Sequence, residues 1–137
     1  MTSNKAYFQL WQSGIEESYL AKLVDAGLGG SVKHFKKHHL GKLLPQPEPY
    51  WESPVVEWLD LFDEKPLATI AADLLAVTEK IGRPSDLEVM LRIAIYIDPN
   101  LPRAGVGMSP ATLTLMSRLR ATFDLDVVPD LSIDWGG

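Results

Sequence analysis

The stretch LEVMLRIAIYI, residues 87–97, decides how this chain is expected to fold. Its odd positions are all Leu, Val or Ile, and its even positions carry Glu88, Met90, Arg92, Ala94 and Tyr96. An alternation with a period of two residues predicts a β-strand with one buried face. Because the even positions are mixed in character, we expect the second face to be at least partly open to solvent.

One helix is predicted before this strand in the sequence, and another is predicted after it. Residues 66–82, PLATIAADLLAVTEKIG, place apolar side chains at helical spacing, begin with a proline suited to a first turn and end in Gly82. Ser109 and Pro110 predict the cap and first turn of a second helix. Residues 123–128 then predict a final strand.

The N-terminal part predicts a strand and a helix, followed by two less regular segments. Residues 5–11 have the pattern of a strand, and residues 15–26 that of a helix, which the run GLGGS at residues 27–31 stops. Residues 31–43 predict a short basic helix that its first serine caps. The prolines between residues 45 and 54 predict an extended loop.

Residues 55–62 fit either a strand or a short helix, because their apolar side chains satisfy both spacings. With that segment taken as a strand, the pattern predicts an α+β fold. We expect a two-layer sandwich, an about four-stranded, mainly antiparallel sheet with helices packed on one face. A doubly wound parallel sheet is disfavoured, since its strands would be apolar on both faces. Residues 1–137 are predicted to form a single domain.

The composition is that of an ordinary globular domain, with 137 residues, 46% hydrophobic and 23% charged. The absence of cysteine excludes disulfide frameworks, cysteine-ligated metal sites and cysteine nucleophiles. Residues 1–17 lack the regions of a signal peptide, and no apolar run is long enough for a membrane helix. We therefore expect a cytoplasmic protein that does not associate with membranes.

Four successive stretches carry a resemblance to a known family. They are VVEWLDLF, LATIAADLLAVTEKIG, LEVMLRIAIYI and GVGMSPATLTLMSRLRATFDLDV, and they resemble the bacterial domain of unknown function 4279, mainly over residues 55–128. Residues 26–54 depart from the family pattern, because a basic run and a proline loop replace a compact turn segment. The resemblance implies a small cytoplasmic α/β domain. It implies no established reaction, and it transfers no functional residue.

The formal net charge of −5 conceals a segregation along the chain. Residues 26–47 contain four lysines and no acidic residue, whereas residues 48–64 contain six carboxylates and no basic residue. Residues 124–134 add four aspartates without Lys or Arg. The acidic balance argues against a general nucleic-acid binder, and the basic run lacks the arginines that read bases. We therefore expect no nucleic-acid partner.

The three histidines, His34, His38 and His39, all lie in the basic run. On a helix His34 and His38 would be one turn apart, the spacing at which two imidazoles share a metal. Phe35 stands where a metalloprotease motif has glutamate, and the two lysines that follow would repel a cation. We expect a solvated basic segment and no metal site.

No pattern predicts a catalytic residue or a cofactor site. The run GLGGS follows a helix, whereas a dinucleotide-binding loop follows a strand, so it is interpreted as a helix stop. Asp124 and Asp126 would lie on one face of a strand, about 7 Å apart. Such a pair can serve acid–base chemistry, but at the end of a strand it is more typical of a solubilising surface. We predict that the protein is not an enzyme.

The acidic segment EPYWESPVVEWLDLFDE, residues 48–64, is the predicted partner-binding site. Its carboxylates are mixed with aromatic side chains, which are favoured at protein interfaces. The predicted partner-binding residues are Glu48, Tyr50, Trp51, Glu52, Glu57, Asp60, Asp63 and Glu64. In the alternative interpretation, Trp58 and Phe62 belong to the core and the acidic residues only face solvent. Trp135 would either join the patch or pack against the core.

These observations predict a non-enzymatic protein-binding module. We expect a bacterial immunity protein that binds a cognate toxin acting in the cytoplasm, with a nuclease as the expected class, through an acidic and aromatic surface. The alternative is a small-molecule-binding or enzymatic domain in which Arg92 and Tyr96 line a pocket on the open face of residues 87–97. Both a monomer and a homodimer are compatible with the sequence.

Overall fold

The computed structural model describes residues 3–35, 38–39, 42–43, 48–59, 61–97 and 106–129. Eight strands and three α-helices lie within these residues. In chain order they are β1 (Asn4–Trp11), α1 (Glu17–Leu23), β2 (Ser31–His34), β3 (His38–His39), β4 (Lys42–Leu43), β5 (Pro49–Glu52), β6 (Val56–Trp58), α2 (Lys65–Ile81), β7 (Glu88–Ile97), α3 (Pro110–Leu119) and β8 (Ala121–Pro129). A π-helical turn, Val24–Leu28, extends α1.

Six of the described strands form one mixed sheet in the order β2-β5-β1-β7-β8, and β6 pairs with β1 beside β5. The pairs β1–β5, β1–β6, β1–β7 and β2–β5 are antiparallel, whereas β7 and β8 are parallel. Strands β3 and β4 form a separate antiparallel pair. The α+β class is therefore confirmed, but the sheet is larger than the four strands predicted, and it is mixed because one of its described strand pairs is parallel. The parallel pair arises because α3 carries the chain back between β7 and β8.

The buried core lies between one face of this sheet and the helices. The alternation predicted for residues 87–97 is confirmed, since Val89, Leu91, Ile93 and Ile95 of β7 are at most 5% exposed. Apolar residues from β1 and from all three helices belong to the same buried cluster, among them Ala6, Phe8, Leu10, Leu20, Leu67, Leu74 and Leu119. The even positions of β7 therefore face away from the helices.

The predicted helices α2 and α3 are confirmed. Ser109 caps α3, because its hydroxyl oxygen accepts a hydrogen bond from the Thr112 N–H at 3.3 Å. Pro66 lies in the first turn of α2, as its sequence pattern predicts. Within the described ranges, no helix combines the length and the apolar character needed to cross a membrane.

The proline-rich segment contains a strand, so the prediction of an extended loop was wrong for residues 49–52. Pro49 is the first residue of β5, a position at which a proline does not interrupt the hydrogen-bond ladder. Residues 55–62, whose pattern fitted either a strand or a short helix, contain the strand β6. Residues 44–47 lie outside the described residues.

A β-bulge joins β5 to β6 along the edge of β1. Gln9 pairs with Glu52 and Ala6 pairs with Val56, so that β5 and β6 contain one residue more than β1 over the same length. At the bulge, the Ser53 hydroxyl accepts a hydrogen bond from the buried Phe8 N–H at 2.8 Å and donates one to the Pro54 carbonyl at 2.9 Å. The extra residue shifts the alternation, so that Glu57 and Glu52 share one face of the sheet.

The basic run is extended where the structure describes it, so the prediction of a basic helix over residues 31–43 was wrong. Residues 31–34 form β2, which pairs with β5. The approach is close at Gly30, where an added Cβ atom would lie 2.1 Å from the Glu52 carbonyl oxygen. Lys36 and Lys37 lie outside the described residues.

Candidate functional site

The face of the sheet that points away from the helices is the candidate site, and we call it the open face. Strand register places polar, charged and aromatic side chains on it. Its residues are Lys5, Tyr7, Gln9, Trp11, Ser31, Lys33, Phe35, Tyr50, Glu52, Glu57, Glu88, Met90, Arg92, Ala94, Tyr96, Thr122, Asp124, Asp126 and Val128.

Arg92 of β7 lies at the centre of the open face and contacts both neighbouring strands. Its Nε donates a hydrogen bond to the Gln9 Oε1 at 2.6 Å, and one of its terminal nitrogens donates to the Asp124 Oδ2 at 2.9 Å. The side chains of Arg92 and Asp124 are 37% and 38% exposed. The guanidinium therefore joins β1, β7 and β8, and its charge is already matched by a carboxylate of its own chain.

A second ion pair lies on the other side of β1. The Lys33 Nζ is 3.0 Å from the Glu52 Oε1, and the hydrogen bond and the charge of Glu52 both raise the pKa of Lys33. Tyr7 lies between the two ion pairs. Burial raises the pKa of the Tyr7 hydroxyl, and the charge of Glu52 raises it further.

Three aromatic rings form a cluster at one end of the open face. The rings of Phe35 and Tyr50 are stacked, with centroids 4.4 Å apart and planes inclined by 23°. Trp11 meets Phe35 edge to face, with centroids 5.8 Å apart. The indole N–H of Trp11 is buried and has no hydrogen-bond partner among the described residues. The aromatic cluster thus supplies a large, rigid contact area beside the charged groups.

Some of the predicted partner-binding residues meet on the open face. Tyr50, Glu52 and Glu57 lie there. Glu48 lies at its margin, where its carboxylate accepts a hydrogen bond from the Gly14 N–H at 3.3 Å. Trp51 points to the opposite side, because successive side chains of a strand alternate between faces.

Trp51 is fully buried, and its indole N–H donates a hydrogen bond to the Gly29 carbonyl at 3.0 Å. The prediction of Trp51 as a surface contact is therefore not supported by its position. The alternative interpretation of Trp58 and Phe62 as core residues is confirmed. Trp58 is buried, and Phe62 packs against the same hydrophobic cluster. The ring centroids of Trp58 and Phe62 are 4.8 Å apart.

Two further predicted residues, Asp63 and Glu64, do not lie on the open face. Asp63 and Glu64 lie at the start of α2, where the Asp63 carboxylate accepts a hydrogen bond from the Lys65 N–H. Glu64 accepts a hydrogen bond from the Ser109 N–H at 2.8 Å, and this bond lowers the pKa of the Glu64 carboxyl. Glu64 therefore connects the starts of α2 and α3. Asp60 lies outside the described residues, as does Trp135.

His34 and His38 do not have the helical spacing at which two imidazoles would share a metal. His34 belongs to β2 and His38 to β3, and the Nε2 of His34 lies 2.8 Å from the Glu17 Oε1. Residues with described side chains include no group of three or more metal-ligating residues. The side chains of His38 and His39 lie outside the described part.

Tyr7, Gln9 and Lys33 belong to the candidate site but were not predicted from the sequence. For the two β1 residues a signal was present, since the odd positions of residues 5–11 are more polar than the even ones. For Lys33 no local signal exists, because its place on the open face depends on the pairing of β2 with β5.

The open face is acidic overall. It carries five carboxylates (Glu52, Glu57, Glu88, Asp124 and Asp126) and three basic side chains (Lys5, Lys33 and Arg92), a formal net charge of −2. Two of the three basic groups are in ion pairs with two of these carboxylates. The remaining carboxylates therefore dominate the field that an approaching molecule meets.

A groove of about 470 Å³ lies on the opposite face of the sheet, where apolar residues of β7, β8 and α3 line it. No family model, no curated protein and no solved structure matches this chain.

Proposed function

We propose that this protein is a non-enzymatic protein-binding module, namely a bacterial immunity protein that binds and neutralises a cognate toxin in the cytoplasm. The expected class of toxin is a nuclease, because the active-site cleft of a nuclease is basic. The resemblance to the domain of unknown function 4279 remains a prediction, and a small binding domain is consistent with it.

The acidic, aromatic-bearing open face is the observation that carries this proposal. Its unpaired carboxylates attract a basic protein surface and speed the encounter with it. The cluster of Trp11, Phe35 and Tyr50 supplies aromatic area of the kind that dominates binding energy at protein interfaces. Charge thus accounts for steering, and the aromatic cluster accounts for the short-range contact.

The alternative, a small-molecule-binding or enzymatic domain, receives less support from this face. That alternative requires Arg92 to be free for a ligand, whereas Gln9 and Asp124 hold its guanidinium. It also requires a pocket with convergent polar groups. The groove near β7 is instead lined by apolar side chains and lies on the other face.

Co-expression with the product of the neighbouring gene tests the proposal, because immunity genes lie beside the genes of their toxins. We expect a stable complex, and we expect cells that produce the toxin to survive only when this protein is also present. The complex should weaken with rising salt, since screening reduces attraction between exposed charges.

Charge reversal on the open face locates the contact. Glu57→Lys and Glu88→Lys replace exposed carboxylates of the open face, and each should weaken the complex by about tenfold, mainly through slower association. Asp73→Lys is the matched control, because Asp73 is exposed on α2 in the helix layer. Unchanged binding in both open-face variants, or the absence of any complex and any protection, would overturn the proposal.

A further inference from the structure

Strand β8 forms an edge of the sheet and has its own exposed surface. Among the described strands, β8 pairs with β7 alone. About half of the backbone N–H and C=O groups of such an edge strand point away from the sheet and are available to another strand. With nine residues, β8 is long for an edge that natural proteins leave unprotected.

The side of β8 that faces the helices is apolar and exposed. Phe123, Leu125 and Val127 are 48%, 55% and 52% exposed, whereas the residues of β7 beside them are buried. These three side chains form one wall of the groove of about 470 Å³, and Ile95 of β7 lies at its base. Edge strands are usually protected by charge or by short length, so three exposed apolar side chains on one face of β8 indicate a binding surface.

The other side of β8 is acidic. Asp124 is paired with Arg92, but Asp126 lies beside Ala94, whose side chain cannot form an ion pair or a hydrogen bond with it. Asp126 is exposed and makes no ion pair with any residue that the structure describes. A strand added to the outer edge of β8 would therefore place a side chain next to a free carboxylate on one face and next to Leu125 on the other.

We propose that the outer edge of β8 binds an extended segment of a partner protein in which apolar residues alternate with Lys or Arg. The segment adds a strand to the sheet, with main-chain hydrogen bonds to β8. Its basic side chains lie beside Asp126, and its apolar side chains extend over Leu125 into the groove. This inference rests on the proposed protein-binding function and names a partner chemistry for it.

Charge disfavours two other occupants of this edge. A second copy that paired β8 with β8 antiparallel about Leu125 would place Asp124 opposite Asp126 twice, and like charges directly opposite are destabilising. The segment DLSIDWGG, residues 130–137, alternates apolar residues with Asp130 and Asp134, so it also offers carboxylates. A segment with basic residues at its polar positions would place them beside Asp126 on one face, and its apolar residues would lie beside Leu125 on the other.

The probe for this test is a synthetic peptide in which lysine and valine alternate, compared with one in which glutamate and valine alternate. Amide hydrogen exchange and NMR shifts are followed in the full chain. We expect the outward amides of residues 121–129 to exchange rapidly in the free protein and to become protected by the lysine peptide alone. Protection of these amides before peptide is added would show that the chain or a second copy already covers the edge, and would overturn the proposal.

Two substitutions separate the charged and apolar contacts. Asp126→Lys should weaken binding of the lysine peptide about tenfold and favour the glutamate peptide, because it changes attraction into repulsion. Leu125→Ser should weaken binding of the lysine peptide severalfold, because it removes an apolar contact and leaves Asp126 in place. The matched controls, Asp73→Lys and Leu61→Ser, change exposed residues elsewhere and should leave binding unchanged.

Absence of protection at millimolar lysine peptide, or equal effects of Asp126→Lys and Asp73→Lys, would overturn the inference. Neither outcome decides the proposed function, because Glu57→Lys and Glu88→Lys test the part of the open face outside β8 through the co-expressed partner. The failure of this inference and the failure of the proposed function are therefore distinguishable.

Discussion

Gly30→Ala tests how closely β2 approaches β5. Gly30 has a φ of +72°, and an added Cβ would lie 2.1 Å from the Glu52 carbonyl oxygen and 3.1 Å from the Ser53 Cα. All of these contacts are with backbone atoms, which cannot rotate away. The matched control is Gly27→Ala, because Gly27 also has a positive φ, of +93°, but has nothing within 4 Å of the added Cβ.

The magnitude follows from two separate costs. A Cβ atom in the left-handed region costs about 1–2 kcal/mol, and both variants have this cost. Overpacking adds about 1–3 kcal/mol in Gly30→Ala alone. The reason is that the added Cβ would lie well inside the separation of roughly 3.5 Å at which nonbonded atoms attract each other. We therefore expect Gly30→Ala to destabilise the fold by about 2–5 kcal/mol and Gly27→Ala by about 1–2 kcal/mol.

Urea denaturation of the wild type and both variants measures the free energy of unfolding. If the free energies of unfolding of the two variants agree within about 0.5 kcal/mol, Gly30 does not lie against the backbone of β5. Such a result would also remove the basis for the Lys33–Glu52 ion pair, because the start of β2 sets the position of Lys33.

Two further predictions concern hydrogen bonds away from the open face. Ser53→Ala should lower the free energy of unfolding in urea by about 1–3 kcal/mol, because the buried Phe8 N–H loses its acceptor. The control is Ser85→Ala, which changes an exposed serine. An equal loss of stability in both variants would contradict the prediction. Glu64→Gln tests the lowered pKa of Glu64, whose ordinary value is 4.5. The charged carboxylate stabilises the fold above that value, so the variant should be less stable at neutral pH, and the difference should vanish as the pH falls through the lower folded pKa. A difference in stability that stays constant from neutral pH into acid would show that the hydrogen bond from Ser109 does not perturb Glu64.

Local patterns predicted the C-terminal half of the fold. The period of two in residues 87–97, the helical spacing of α2 and the Ser109 cap of α3 are signals within single elements, and each was confirmed. The predictions failed where a strand depends on its neighbour. Residues 31–34 have no strand alternation of their own, and they are extended because β5 supplies their hydrogen bonds.

The candidate site was predicted in part for the same reason. Alternation indicated an open face that carries Arg92, and composition indicated that residues 48–64 are acidic. Neither signal could show that β5 and β7 lie on either side of β1, which places Glu52 and Arg92 on one surface. The burial of Trp51 likewise depends on α1 and on the alternation of β5.

The spacing of apolar residues along the chain sets the character of each face, because it decides which side of a strand or helix avoids water. This local pattern specifies an α+β fold with one open sheet face and several acidic segments. Which faces meet depends on long-range pairing. The ion pairs of Arg92 with Asp124 and of Lys33 with Glu52 join residues 32 and 19 positions apart. Among the described strands, β8 lies at the edge of the sheet, because α3 returns the chain parallel to β7. Strand order and register are properties of pairs of segments, so no single segment encodes them.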